Sequence, residues 1–294
     1  MKAAAFDFCR AESLEQVLEE LSSAAGEARI IAGGQSLVAM MAMRLARPEK
    51  LIDINHVGAL AGIDDGDGMV TIKACTRQAT ALQSAIITRE VPMLAAALPH
   101  VGHTQTRNRG TIGGSIAHGD PTAEILLAAT ALGARVTLAS IGGVRSLAVA
   151  DFALGAMETA AREDECLTEV VFPKPPRELA LSAAVDEISP RAGDYAVIGA
   201  AAEIGLDAEG RCRHARLASS GAAPVPVLAS PVAQALAGSR LEDTEIDEAV
   251  RLLDPLLDPE SDVQASAAYR RRVAPGMLAR VIKRARDQAR NPTT

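Results

Sequence analysis

The chain has 294 residues, 48% apolar and 23% charged, with a formal net charge of −7. That length allows two or three domains with buried cores. The acidic balance, with 2% aromatic residues and no Trp, disfavours the broad cationic, base-stacking surface of a nucleic-acid binder and leaves room only for a local basic patch. Cys9, Cys75, Cys166 and Cys212 are scattered with no C-x-x-C pair, so neither a metal nor an iron–sulfur cluster is expected on this chain. The opening "MKAAAFDFCR" lacks the apolar core of a signal peptide. No apolar run is long enough to span a membrane, and a reducing cytoplasm is the expected compartment.

Along the chain, "SLEQVLEELSSA" has helical spacing with Ser13 placed as N-cap. "ARIIAGG" reads as a short buried strand ended by a glycine turn, "SLVAMMAMRLA" as a helix, and "KLIDI" as a second strand parallel to the first. A small β-α-β unit thus closes near Asn55. After the Asp/Gly turn in "DDGDG", Met69, Val70, Ile72 and Ala74 follow a strand-like pattern. "RQATALQSAIITREVPMLAAALPHVG" predicts two helices, the second entered through Pro92. "AEILLAATALG" predicts a helix stopped by Gly133, with Asp120 capping its start. "ARVTLAS" and "CLTEVVF" predict strands, and the Pro-rich "PKPPRE" marks a domain boundary. Beyond it, "DYAVIGAAAEIGLD" and "CRHARLASSG" read as an antiparallel hairpin about "AEGR". Helices follow at "PVAQALAG", "TEIDEAVRLL" and "YRRRVAPGMLARVIKRARDQAR". That last run is either a helix with a solvated basic face or a surface docking on an acidic partner.

Two Gly-Gly pairs stand out, in "AGGQSL" (Ala32 to Leu37) and "TIGGSIAHGDPTAE" (Thr111 to Glu124). Each has a hydroxyl or amide neighbour and an apolar helical run after it. Glycine permits positive φ and close backbone approach, and successive N–H groups can then converge on an anion. The expected layout at both is strand, glycine turn, helix, binding two phosphates or one diphosphate between two loops. Neither pair fits G-x-x-x-x-G-K-[ST] or G-x-G-x-x-G, so a P-loop and a Rossmann site are both unsupported.

"AGGQS" with "LIDI" after it, and "RNRGTIGGS" with "AHGDPTAE" after it, resemble the two flavin-binding signatures of one family. It is that of the FAD-binding medium subunits of molybdenum hydroxylases, which includes the xanthine and carbon monoxide dehydrogenases. "RAGDYAVIGAAA" (Arg191 to Ala202) resembles the C-terminal signature of that family, and "SAAYRRR" is familiar in the same context. The resemblance covers nearly the whole chain.

It implies an α+β fold. A FAD-binding domain over 1–175, with α/β subdomains at about 1–55 and 56–175, would precede a C-terminal domain over 176–294 with an antiparallel sheet and helices. It implies FAD as the cofactor, its diphosphate on two loops. Ala32, Gly33, Gly34, Gln35, Ser36 and Leu37 would belong to the first loop, and Thr111, Gly113, Gly114 and Ser115 to the second. Glu124 stands where an Asp usually hydrogen-bonds the cofactor. Leu167 stands at an apolar flavin contact, and Asp194 and Tyr195 match a pair whose ring lies by the isoalloxazine. The chain departs from the pattern with Gln35 in place of His, Ser115 in place of Asn, and acids at Asp186 and Glu187 where some relatives carry Lys.

The resemblance further implies partners: a large molybdenum–pterin subunit that hydroxylates a substrate and a small subunit with two [2Fe–2S] clusters. Electrons would pass through this FAD to a quinone, NAD or O2. Two other functions stand as alternatives: a stand-alone flavin oxidoreductase, and a structural or assembly subunit without cofactor. No catalytic residue is expected on this chain, because the cofactor supplies the chemistry. His118 has two readings, a cofactor contact or a local loop hydrogen bond. Arg107 and Arg109 either offset phosphate charge or pair with a partner chain. His100 and His103 lack a third metal ligand nearby and read as a helix end or a pocket wall.

Overall fold

The computed structural model describes residues 2–291. The first unit holds β1 (Asp7–Arg10), α1 (Leu14–Ser23), β2 (Ala28–Ile31), α2 (Leu37–Ala42) and β3 (Lys50–Asp53). Its sheet has the order β1-β3-β2, with both neighbouring pairs parallel. The Ser13 hydroxyl accepts from the Gln16 N–H and starts α1, whose Val17 and Leu21 face the sheet side of a small core with Ile52 and Ile54. β1 carries no apolar alternation because three of its four residues are exposed at the sheet edge. That is why it escapes a reading by periodicity.

The second unit begins with β4 (Ile63–Asp65) and β5 (Met69–Lys73). Six short helices follow: α3 (Gln78–Leu82), α4 (Ala85–Glu90), α5 (Pro92–Ala97), α6 (Thr104–Arg109), α7 (Ile112–His118) and α8 (Glu124–Leu132). It finishes with β6 (Arg135–Ser140), β7 (Gly143–Ala148), α9 (Val149–Phe152), the hairpin β8 (Ala153–Gly155) and β9 (Glu158–Thr159), and β10 (Cys166–Pro173). The five-stranded sheet has the order β4-β5-β10-β6-β7, antiparallel throughout. Where two helices were expected over residues 77–102 there are three. The Ser84 side chain accepts from the Ile87 N–H, so α3 stops and α4 starts afresh. Eight of the nine residues of α8 are buried, from Ile125 to Leu132, and Gly133 at φ +66° ends the helix.

The last unit is the antiparallel sheet β11-β12-β13-β14, formed by β11 (Ala180–Ile188), β12 (Ile198–Leu206), β13 (Cys212–Ser220) and β14 (Val227–Leu228). α10 (Ser230–Leu236), α11 (Asp243–Ala249) and α12 (Ala267–Arg290) cover it. Every residue of β12 is buried, because α12 lies on one face and α5 and α8 on the other. Small side chains at Gly199, Ala200, Ala201 and Ala202 permit that double cover. The Arg-rich α12 is largely neutralised within the chain. Arg280 and Arg284 reach Asp186, Arg271 reaches Asp254, and Arg286 reaches Asp243 and Asp287. Among the described residues no helix is long and apolar enough to cross a membrane.

Candidate functional site

Between β2 and α2 the chain turns at Gly33 and Gly34. Gly34 lies at φ +71°, where a side chain would be strained. Gly33 is needed for a different reason. A Cβ there would sit 2.5 Å from the Arg109 carbonyl oxygen and 2.8 Å from the Gly110 Cα, so glycine lets the two loops touch backbone to backbone. None of the N–H groups of Gly33, Gly34, Gln35 and Ser36 meets a protein acceptor among the described residues. Four consecutive unsatisfied donors in a turn form a concave anion cradle.

The second loop is built otherwise. Its glycines lie inside α7, not in a turn before it, and the short helix α6 precedes them in place of a strand. Thr111 caps α7, its hydroxyl accepting from the Gly114 N–H at 3.1 Å. Ile112 and Gly113 donate to the carbonyls of Thr76 and Ala74 at 3.0 and 2.9 Å, and Ser115 donates to the Thr111 carbonyl. These donors are already engaged. Gly113 serves close packing, since a Cβ there would lie 2.5 Å from the Ala74 Cβ. The strand-turn-helix layout expected twice therefore occurs once. Nor does Asp120 cap α8: Ala123 holds that position, while the Asp120 carboxylate closes a turn by accepting from the Thr122 N–H and hydroxyl, each at 2.8 Å.

A side-chain chain ties the two loops. The Asn55 amide donates to the Ala32 carbonyl at 2.8 Å and accepts from Arg77 at 2.6 Å, and Arg77 donates onward to the Arg109 carbonyl. Gln78 reinforces the join, its N–H donating to the Gly110 carbonyl at 2.9 Å. Charged hydrogen bonds of this kind each contribute about 1.5–3 kcal/mol. Arg77→Met is therefore expected to weaken FAD binding roughly tenfold while leaving the helix content unchanged. Fluorescence titration of apoprotein with FAD checks this, and equal affinity in the two proteins would show that the link does not hold the loops.

The cradle opens into a cleft of ≈ 560 Å³, within the size range of cofactor sites. One wall carries Ala32, Gly33, Gly34, Gln35, Ser36 and Leu37. The facing wall carries Thr111, Gly113, Gly114, Ser115 and His118. Glu124, at the start of α8, and Leu167, on β10, line its depth. Leu167 adjoins an irregularity in the β10–β6 register, a feature that re-aims a side chain. Asp194 and Tyr195 approach from the last unit, on a strap between β11 and β12. That strap rests on the second unit: a Cβ on Gly193 would meet the His103 ring at 2.6 Å. Tyr195 lines the cleft and is 59% exposed. The loop residues, His118, Glu124, Leu167, Asp194 and Tyr195 thus border one space, while His100, His103, Arg107 and Arg109 do not line it.

Burial raises the Glu124 carboxyl to about 7, with a smaller push from the nearby Asp120. Cys166, also on the cleft wall, is driven up to about 12 by burial and is no nucleophile. Arg107 donates to the carbonyls of Val101 and Gly102 at 2.8 Å each, while Arg109 is exposed. Among the described residues no cluster of His, Cys, Asp or Glu could hold a metal ion. Sequence reasoning missed Gln78, Thr106, Glu165 and Met157, which also line the cleft. They come from separate elements with no shared motif. Gly110 is the exception, since it sits inside "RNRGT" and could have been read there.

Comparison with known proteins agrees with this geometry. Residues 4–175 match the family described as the FAD binding domain in molybdopterin dehydrogenase, and residues 183–285 match the CO dehydrogenase flavoprotein C-terminal domain. The chain is 38% identical over 290 residues to the 6-hydroxypseudooxynicotine dehydrogenase complex subunit alpha of Paenarthrobacter nicotinovorans, covering 99% of this chain and 97% of that one. It is 33% identical to the carbon monoxide dehydrogenase medium chain of Afipia carboxidovorans, covering 97% and 98%. A crystal structure of the Cu,Mo-CO dehydrogenase superposes with a TM-score of 0.94 at 32% identity, covering 98% of this chain and 100% of that one. The clasped glycine loops, the cleft they border and the full-length likeness together place this chain in the family of FAD-binding medium subunits of molybdenum hydroxylases.

Proposed function

We propose that this chain carries electrons in a heterotrimeric molybdenum hydroxylase. They would enter from the [2Fe–2S] clusters of a small subunit and leave through FAD to a quinone, NAD or O2. A large molybdenum–pterin subunit would oxidise the substrate. The observation that carries this reading is the cradle of four unengaged N–H groups at Gly33–Ser36, opening into a cleft that reaches Tyr195. Bound there, FAD supplies the one- and two-electron chemistry. The chain supplies the rest. Gly33, Gly34, Gln35 and Ser36 bind the diphosphate, and Ala32 and Leu37 shape the turn. Thr111, Gly113, Gly114 and Ser115 form the opposing wall, His118 lies at its edge, and Glu124 accepts or donates a hydrogen bond in the depth of the cleft. Leu167 excludes water, and Asp194 and Tyr195 cover the ring. The domains are 1–175, with subdomains about 1–55 and 56–175, and 176–294, and the compartment is the cytoplasm.

Exposed apolar side chains support assembly with other subunits. On the first unit Phe6, Phe8, Met43 and Leu45 are 40%, 55%, 53% and 70% exposed, large apolar side chains that docking on another subunit would cover. The visible spectrum of the purified native complex tests the reading. Flavin absorbance near ~450 nm with FAD released on heating, beside iron–sulfur absorbance from the partners, is expected. A colourless chain that takes up no added FAD, isolated from a fully active complex, would falsify it.

A further inference from the structure

The loop 160–165, between β9 and β10, meets both the cleft and the first unit. Ala161 and Glu165 line the cleft, as do Cys166 and Leu167 at the start of β10. Cys166 also belongs to the small core of the first unit, with Ile52 and Ile54. Glu163 reaches that unit as well. A Cβ on Gly26, in the turn between α1 and β2, would run into the Glu163 carboxylate. Gly26 lies at φ +92°, and its bare backbone gives the carboxylate a seat.

One arginine holds this loop. Arg145 on β7 grips the Glu165 carboxylate with two nitrogens, Nε to Oε1 at 2.6 Å and Nη2 to Oε2 at 2.7 Å. Its Nη2 also donates to the Ala160 carbonyl at 2.6 Å, so one guanidinium binds both ends of the loop. Glu165 Oε2 accepts from the Arg162 N–H at 2.7 Å, and the Glu165 N–H donates to the Arg162 carbonyl at 3.1 Å. The Glu165 side chain is 4% exposed. The guanidinium beside it holds its carboxyl below the usual carboxylate range, so the pair stays charged at neutral pH. A buried ion pair roughly offsets its own desolvation and adds little net stability. A two-armed arginine grip fixes distance and direction instead. The sheet carries that constraint to the cleft. Arg145 and Leu167 are both cross-strand partners of Leu138 on β6, so the guanidinium reaches over one strand to the residue two before Leu167.

We propose that Arg145 and Glu165 are positioning residues for the flavin cofactor: by fixing loop 160–165 on the sheet, they set how the first unit, with its cradle at Gly33–Ser36, stands relative to Leu167. The inference rests on the FAD reading above. Neither residue takes part in electron transfer. Arg145 acts through Glu165, Glu163 and Cys166, and this tie shares no residue with the clasp of Asn55 and Arg77. The clasp joins one loop to the other, whereas the Arg145 grip seats the turn at Gly26 and the start of β10. A cofactor that spans both units needs both ties, because a small misplacement of either wall costs contacts along its length.

The test compares the full-length wild type with Glu165→Gln and Glu163→Ala, titrated with FAD well below the unfolding temperature. Glutamine keeps the shape of Glu165 but turns one acceptor oxygen into an NH2 group, which cannot accept from Arg145 and Arg162. The dissociation constant for FAD is expected to rise about tenfold in Glu165→Gln and about threefold in Glu163→Ala. At saturating FAD, the visible circular dichroism of the bound flavin should also change in Glu165→Gln. A role in stability alone would lower the thermal transition and leave affinity and dichroism as in wild type, and that result overturns the proposal. Glu163 is exposed, so its variant folds even if Glu165→Gln does not, and wild-type affinity in Glu163→Ala is equally fatal. Asp164→Ala removes the neighbouring exposed charge and should bind FAD like wild type. A loss matching that of Glu163→Ala would make the effect one of charge, not contact, and reject the tie. Hydrogen exchange of the apoprotein gives a readout without cofactor: amides in the turn 24–27 should exchange faster in Glu165→Gln, and unchanged exchange there refutes the coupling. If wild type takes up no FAD while that exchange still responds, the FAD reading fails and takes the flavin role with it, leaving only the tie between the units.

Discussion

Gly33→Asp should give a folded protein that cannot retain FAD. The added Cβ would meet the Arg109 carbonyl oxygen at 2.5 Å and the Gly110 Cα at 2.8 Å. Both are backbone atoms, held in place by Arg77 and by the Gln78 N–H. They cannot swing aside as the end of a flexible side chain would. The first loop must therefore lift away from the second, and the four unengaged N–H groups shift with it. The new carboxylate also puts a negative charge where a diphosphate would lie. Together these effects are expected to weaken FAD binding at least about 100-fold, or ~2.7 kcal/mol. The fold should survive, because β2 and β3 complete their pairing before the turn begins. The flavin-to-protein absorbance ratio, with circular dichroism as control, reads this out. Full occupancy would mean that the cradle does not bind the diphosphate. Gly113→Val makes a poorer test, since its clash with Ala74 would detach α7 from the end of β5 and confuse unfolding with lost binding.

Arg270→Ala carries the largest expected cost in stability. Its guanidinium is 5% exposed in the first turn of α12 and donates to the carbonyls of Val197 and Gly221, at 2.5 and 3.0 Å. It also pairs with Asp262 at 2.6 Å, but that carboxylate is half exposed and contributes little. Truncation leaves two buried carbonyls without donors and opens a cavity under α12. The loss should be about 3–5 kcal/mol. Calorimetry of the apoprotein should show the transition of the C-terminal unit falling by on the order of 10 °C. An unchanged transition would mean that α12 is held by its apolar face alone. The consequence reaches the site. Val197 lies two residues beyond Tyr195, so slackening its carbonyl loosens the strap. FAD should then dissociate faster from Arg270→Ala even well below its unfolding temperature.

How much of this was legible in the sequence varies with the physical origin of each feature. Ser13 announces α1, Gly133 announces the end of α8, and the continuous apolar run "VIGAAAEIGL" before the turn "AEGR" announces a strand, because capping, positive φ and burial are local properties. The motif residues from Ala32 to Leu37 and from Thr111 to Ser115 were legible too, since glycine pairs beside hydroxyls are uncommon without a backbone reason. The reason itself was legible for the first pair only. For the second, the sequence suggested another open turn, whereas Gly113 and Gly114 sit within a helix whose N–H groups are engaged. That outcome depends on Ala74 lying 2.5 Å from a would-be Cβ, a distance between chain segments that no local pattern encodes. Edge strands such as β1 and β7 were silent because exposed strands need no apolar alternation.

The residue types alone determined that this chain has glycine loops suited to a diphosphate, scattered thiols, and a likeness to FAD-binding subunits of molybdenum hydroxylases. Only the tertiary structure decided which loop keeps its donors free, that Asn55 and Arg77 clasp the two loops, and that Glu124 and Leu167 line one cleft with them. Chemistry of single residues and short periods is written along the chain. Close approach, satisfaction of hydrogen bonds and the dielectric around a carboxylate belong to groups far apart in sequence, and arise only when packing brings them together.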